Sequence, residues 1–354
     1  MSLKILLAGG GTMGSVSPLI AVYQEIKAKY PETEFLFIGT KSGPEKEAVE
    51  SYKIKFTSIA SGKLRRYFDW NNLLDPFRVI GGFFQIFFIL MRFRPNVVMV
   101  AGSFVGVPVA WAAWICRIPV LIHQQDIIAG LANKLMGNIA TRITVSFEPS
   151  LKDFHPRKTV LTGNPVRQEF ASCDQAKSKR FFNLKDDLPV VLILGGGTGA
   201  QKINEVVEKS LAQLLVFCQV IHITGRGKIV SAEAEGYRQF EFLTHEMPEA
   251  LCAADLIVNR AGISTLSEMI VEAKPVILIP IAETHQEFNA QYFQKNNSAL
   301  VLPEATLNNE ILSGAVKELI YNDAQRNNLA RNLARMMPRD GAARVAEILL
   351  KIAR

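Results

Sequence analysis

The chain is poor in the residues that most often carry metal or redox chemistry: 354 residues hold four cysteines and five histidines. Cys116, Cys173, Cys218 and Cys252 are far apart, form no CxxC pair and keep no metal-type spacing with a histidine, so no metal site is expected. Cys116, Cys218 and Cys252 stand in apolar context and read as small core residues of a reducing compartment. A membrane-spanning run is missing too. The uncharged centre of the apolar segment near residue 85, Val79–Met91, has thirteen residues, where a helical span needs about twenty. The chain enters an apolar run directly after Leu3, so no signal peptide is expected. Charge is not balanced: the net value is +7 and the pI about 9.2. That surplus favours an anionic partner. No basic patch interleaved with stacking aromatics occurs, so nucleic acid is not the expected one.

What is present is a regular alternation of short apolar runs with helix-length segments. Expected strands are Lys4–Ala8, Glu34–Ile38, Val97–Val100, Val120–Ile122 and Arg142–Val145. A second series follows at Val190–Leu194, Gln219–Ile223, Glu241–Leu243, Leu256–Val258 and Val276–Ile279. Continuous apolar strands of this kind belong to parallel sheets buried on both faces. A glycine cluster opens each series: Gly9, Gly11 and Gly14 spell GxGxxG, and Gly195, Gly197 and Ala200 spell GxGxxA. The expected fold is α/β, two tandem doubly wound Rossmann-like domains facing across a cleft. The joint falls in Thr162–Val166, where Gly, Asn and Pro come together, dividing the chain into residues 1–163, 164–338 and a last helix in 339–354. A glycine loop between strand and helix lets backbone approach an anion. A dinucleotide site would also need an acid at the tip of the second strand, yet those strands end Ile38-Gly-Thr and Ile223-Thr-Gly-Arg. A dehydrogenase is therefore disfavoured.

Six ordered blocks, GGGTMGSVSPLIAV, HQQDIIAGLANK, GNPVR, GGGTGAQKINE, AGISTLSEMIVEAKPVILIPI and THQEFNAQ, run from near Lys4 towards the final helix. In this order they resemble the MurG family, peptidoglycan glycosyltransferases of the two-domain GT-B fold. The resemblance implies a metal-independent and cofactor-free inverting transfer of N-acetylglucosamine from UDP-GlcNAc to muramoyl-pentapeptide on undecaprenyl diphosphate. It places the acceptor on the first domain and the donor on the second, with each glycine loop facing a diphosphate. On the donor side it makes Glu268 the ribose ligand and Gly262 a close backbone approach. Gly197, Thr198 and Arg167 then suit phosphate oxygens, Met247 the uracil, and Gln286 and Asn289 the sugar. His285 lies beside the sugar contacts.

On the acceptor side, Thr12, Gly14 and Ser15 form the first loop, and Ser15 stands where the family carries a histidine that is a leading candidate for catalysis. A serine hydroxyl is no general base near neutral pH without activation. The family's His-Glu-Gln-Asn reads His123-Gln124-Gln125-Asp126, and Ser103 replaces a second glycine. Asp126 supplies a carboxylate absent from the family pattern. It is either the base, alone or with His123, or the cap of a helix opening at Ile127 or Ile128. The catalytic candidates are thus Asp126, His123 and Ser15. The segment Phe77–Phe93, with Arg65, Arg66, Arg78, Arg92, Arg94 and Trp70 around it, suits an anionic inner-membrane surface on the cytoplasmic side. The readings left beside the lead are a divergent transferase with another lipid-linked acceptor, a UDP-sugar epimerase, and a catalytically weak UDP-sugar-binding protein.

Overall fold

The computed structural model describes residues 2–41, 43, 45–59, 71–171, 173–195 and 200–353, without the side chains of 71–81 and 171. Gly197, Thr198, Arg65, Arg66 and Trp70 lie outside the described residues, as do the side chains of Phe77 and Arg78. The chain divides into two compact units. Unit 1 comprises Met1–Arg167 with Met337–Arg354, and unit 2 comprises Gln168–Met336.

Unit 1 carries β1 (Lys4–Ala8), β2 (Glu34–Gly39), β3 (Lys55–Ser58), β4 (Val97–Val100), β5 (Val120–Gln124), β6 (Arg142–Val145) and β7 (Thr159–Leu161). They form one sheet in the order β3-β2-β1-β4-β5-β6-β7, and every pairing is parallel. Alternation along β1 sends Leu6 and Ala8 into one core cluster and Ile5 and Leu7 into another, so helices cover both faces. On the first face lies the helix Asn71–Phe93, which buries Ile86 and Leu90. On the second lies the helix Gly341–Ile352, which buries Val345, Ala346 and Leu349. The last helix thus belongs to unit 1. Its start is held close: Gly163 has φ +78°, and a Cβ on Gly341 would come within 2.7 Å of the Asn164 carbonyl oxygen.

Unit 2 carries β8 (Val190–Leu194), β9 (Gln219–Ile223), β10 (Tyr237–Phe240), β11 (Leu256–Asn259), β12 (Val276–Leu278) and β13 (Leu300–Val301). Their order is β10-β9-β8-β11-β12-β13, again all parallel. Both sheets reverse direction of growth between their first and fourth strands, the switch point at which doubly wound folds bind ligands. The strand expected at Glu241–Leu243 lies instead at Tyr237–Phe240. The Gly236 turn (φ +81°) starts it early, and pairing of Tyr237 with Val220 brings the Tyr237 hydroxyl 2.9 Å from His222 Nδ1. Three strands not expected from the sequence, β3, β7 and β13, have two to four residues and no fully buried position, so they show no apolar run.

One buried histidine stands in each sheet. His123 on β5 is fully buried, with Nδ1 2.9 Å from Thr144 Oγ1 and Nε2 2.8 Å from Asn164 Oδ1. His222 on β9 is fully buried between the Tyr237 hydroxyl and Asn204 Oδ1, the latter at 3.1 Å. Burial lowers both from 6.5 to about 4. The folded protein therefore keeps them neutral while the unfolded chain takes up protons below about pH 6.5. Stability should fall from about pH 6.5 to about pH 4 and stop responding to these two groups below that. Each contributes up to about 3 kcal/mol. Urea unfolding across this window checks it, and a midpoint that does not move between the two limits would refute the assignment.

Candidate functional site

Two loop clusters gather at the carboxyl ends of the strands, one in each unit. In unit 1 the loops after β1, β4 and β5 are tied together. Ser103 Oγ donates to the Gly10 carbonyl at 2.8 Å, and Gln125 Nε2 donates to the Ala101 carbonyl at 3.2 Å. Gly102 and Ser103 both have positive φ, 73° and 71°. Ser103 therefore occupies a backbone state that costs a non-glycine residue about 1 kcal/mol. Its hydroxyl bond across to Gly10 offsets that cost.

The first glycine loop is closed from within. The amide of Gly9 donates to the Ile38 carbonyl at 3.1 Å, that of Gly10 to Ser15 Oγ at 3.0 Å, and that of Gly11 to Glu45 Oε2 at 3.3 Å. The expectation that this loop cradles an anion is corrected for these three amides, since each already has a partner. Glu45 was not legible as a loop residue. It is fully buried, seven residues beyond Ile38, and also accepts from the Thr40 amide at 2.6 Å. An acid does return to β1, but as part of the loop's own scaffold. The only signal for it was its place opening an acidic helix start after Gly43-Pro44. Ser15, 8% exposed, directs its hydroxyl to the Gly10 and Thr12 carbonyls and so shapes the loop. Thr12 is exposed and Gly14 half-buried at the loop tip.

His123 is enclosed in the sheet with both ring nitrogens bonded. Asp126 is different. It lies two residues past β5, half-buried, and its carbonyl accepts from Gln124 Nε2 at 2.8 Å and from Ser150 Oγ at 3.0 Å. The capping reading is corrected as well. The next helix is Leu131–Gly137 with Gly130 at its N-cap, and the Ala129 amide is held by Asp153 Oδ2 at 2.8 Å. Arg167, the last residue of unit 1, is 8% exposed and donates to the Tyr52 hydroxyl at 3.2 Å, so it is no solvated surface arginine.

In unit 2 the loops after β10, β11 and β12 carry the described candidates. Gly262 is the N-cap of the helix Ile263–Glu272, in which Glu268 is 5% exposed. Gln286 lies in the first turn of the helix His285–Lys295 and accepts the Ile281 amide at 3.1 Å through Oε1. His285 is exposed, and Met247 opens the helix Met247–Ala253 half-buried. Asn289 lies deeper in the same helix. It is 1% exposed and donates from Nδ2 to the Ala261 carbonyl at 3.1 Å, one turn beyond Gln286. That bond holds the Ala261-Gly262 turn, where Ala261 has φ +59°. Arg260, just before that turn, is buried and paired to Glu304 at 2.6 Å, a contact that local sequence does not reveal.

A third feature belongs to unit 1. The helix Asn71–Phe93 turns Phe84, Phe87, Phe88 and Met91 outward, at i, i+3, i+4 and i+7. The helix Gly106–Ile115 packs on it and exposes Trp111, Trp114 and Ile115; the helix Leu131–Gly137 packs on that one and exposes Leu131 and Leu135. Arg92, Arg94, Arg117 and Lys134 are exposed on or directly after these helices. The tryptophans and leucines were missed because their helices are short and read as core. No helix among the described residues is long and apolar enough to cross a membrane.

The chain matches the glycosyltransferase family 28 N-terminal domain over residues 5–145 and the glycosyltransferase family 28 C-terminal domain over residues 190–345. A Clostridium kluyveri protein is 41% identical over 322 residues, covering 89% of this chain and 91% of its own length. A Clostridium botulinum protein is 38% identical over 354 residues, covering 98% and 99%. Both are named UDP-N-acetylglucosamine--N-acetylmuramyl-(pentapeptide) pyrophosphoryl-undecaprenol N-acetylglucosamine transferase. A crystal structure of Acinetobacter baumannii MurG, 21% identical, superposes with a TM-score of 0.73 over 99% of this chain and 100% of its own, and shares the fold. With both domains matched in order and relatives of this identity along nearly the whole length, the chain belongs to glycosyltransferase family 28 and, within it, to the MurG family.

Proposed function

We propose that this protein is the UDP-GlcNAc-dependent transferase that moves N-acetylglucosamine onto undecaprenyl-diphosphate-linked muramoyl-pentapeptide, the step from lipid I to lipid II in peptidoglycan synthesis. The observation that carries this reading is the near-full-length identity to relatives bearing that name, with both family 28 domains in order. Unit 2 takes the donor. Glu268 accepts the ribose hydroxyls, the turn at Gly262 lets backbone approach the nucleotide, Met247 lies at the uracil, and Gln286 offers its amide NH2 to the sugar while its oxygen is held by Ile281. Gly197 and Thr198 serve the diphosphate. Unit 1 takes the acceptor, with Thr12 and Gly14 at the exposed loop tip and Asp126 receiving the proton of the attacking hydroxyl as UDP leaves with inversion. The apolar, arginine-edged face of unit 1 rests on the anionic cytoplasmic surface of the inner membrane, where a lipid-linked acceptor is found.

Release of UDP from UDP-GlcNAc, measured with and without a soluble lipid I analogue, tests the reading. Release is expected only with acceptor. Glu268→Gln should weaken UDP-GlcNAc binding about tenfold to a hundredfold, the effect of losing hydrogen bonds to a charged acceptor. Conversion of the donor to an epimer, or donor binding with no acceptor-dependent release, would overturn it.

A further inference from the structure

Cys252 is not the free core thiol its apolar context suggests: it forms a disulfide with Cys173 across a separation of 79 residues. Such pairing over a long separation is not readable from cysteine spacing. Cys173 follows directly on the entry of the chain into unit 2, and Cys252 lies near the end of the helix Met247–Ala253. A third group completes the cluster. Glu272, the last residue of the helix Ile263–Glu272, brings a carboxylate oxygen within 4.8 Å of both sulfurs.

Glu272 is anomalous where it stands. Both its carboxylate oxygens are buried, and neither accepts a hydrogen bond among the described residues. An unsatisfied buried carboxylate is costly, and native structures rarely keep one unless an ion or other partner meets it. The neighbouring Lys274 ammonium does not fill this role by contact. It donates instead to the Cys252 carbonyl at 2.8 Å and the Ala254 carbonyl at 2.9 Å. The disulfide has no use for the carboxylate. A cation held by the two reduced sulfurs would.

We propose that Cys173, Cys252 and Glu272 form a redox-gated zinc(II) site, closed while the disulfide stands and opened by its reduction. A dithiol reductant supplies two electrons and two protons and is itself oxidised to a disulfide, leaving Cys173 and Cys252 as thiols. Zinc(II) then displaces the two thiol protons to solvent and binds both thiolates and one Glu272 oxygen. Water completes a tetrahedron, the geometry of zinc with sulfur and oxygen ligands. The charges close: two thiolates and a carboxylate balance a divalent ion and the Lys274 ammonium. Thiolate ligands favour zinc over calcium or magnesium, which take oxygen. Cys173 is exposed, so the ion has a route to the buried partners from solvent. The site stands on the reactive groups of unit 2 alone and does not depend on the assignment of the donor residues.

The test uses the untagged full chain, reduced with a phosphine, freed of it under argon, and titrated with zinc and separately with cobalt. Reduced protein should retain about one zinc per chain after dialysis. Cobalt should give thiolate charge-transfer absorption in the near ultraviolet together with tetrahedral d–d bands. Disulfide-intact protein, which has the same fold, should retain none, and Cys252→Ser should lose the cobalt spectrum. Glu272→Gln should bind zinc at least about tenfold more weakly with an unchanged circular dichroism spectrum. Cys116→Ser should behave as wild type, which removes the other partly exposed thiol from consideration. Reduced wild-type protein that retains no zinc, or a Glu272→Gln variant that binds as tightly as wild type, would overturn the proposal.

Discussion

Asp126→Asn is expected to lower acceptor-dependent turnover by about 100- to 10,000-fold, the usual contribution of a positioned general base. The substitution keeps size and shape while removing the negative charge and the capacity to take up a proton. The loop itself should survive, because it is fixed through the Asp126 backbone carbonyl by Gln124 and Ser150, and its amide end by Asp153. UDP-GlcNAc affinity, measured by calorimetry, should therefore stay within about twofold while kcat collapses, the signature of a group that acts in the transition state. The neighbouring candidates should respond in another way. Ser15→Ala removes hydrogen bonds that close the glycine loop, so it should cost about 1 kcal/mol of stability with a much smaller effect on kcat. Wild-type kcat in Asp126→Asn would remove the carboxylate from the chemistry altogether.

Replacing Phe84, Phe88 and Trp114 together by serine is expected to weaken binding to anionic vesicles by roughly 100- to 1,000-fold. These side chains are 69%, 68% and 51% exposed, so they contribute little to folding, and the melting temperature should barely move. Full burial of such a side chain is worth about 1.5–3 kcal/mol; partial insertion at about half of that, over three residues, gives the stated factor. The arginines provide the second part of the signal. Arg92, Arg94 and Arg117 are exposed beside the aromatic face, and each basic residue near an anionic leaflet adds about 1 kcal/mol. Vesicles of zwitterionic lipid should therefore bind less protein, and added salt should lower binding to the anionic ones. Equal cosedimentation of the triple variant and the wild type would show that this face is not the membrane contact.

Much of the scaffold was legible because its determinants are local. A strand buried on both faces is a short, mainly apolar run, and β1, β4, β6, β8 and β9 are legible to the residue for that reason. Edge strands carry no such constraint, so Lys55–Ser58, Thr159–Leu161 and Leu300–Val301 left no mark. The family, too, was readable, since it rests on which residues follow one another and in what order.

What the sequence alone could not decide is where a polar side chain spends its hydrogen bonds. His123, Ser15 and Asn289 have the residue types of a reaction site, yet each is buried and hydrogen-bonded to backbone or core partners. Glu45 and Arg260 looked unremarkable and proved to be buried around the loops they shape. Cys173, Cys252 and Glu272 become a cluster only when segments nearly a hundred residues apart pack together. On a strand the side chain reverses face with every residue, and a partner is chosen by three-dimensional proximity. Residue order therefore determined the elements and the family, while tertiary packing alone decided which candidate groups stand ready for chemistry and which hold the fold.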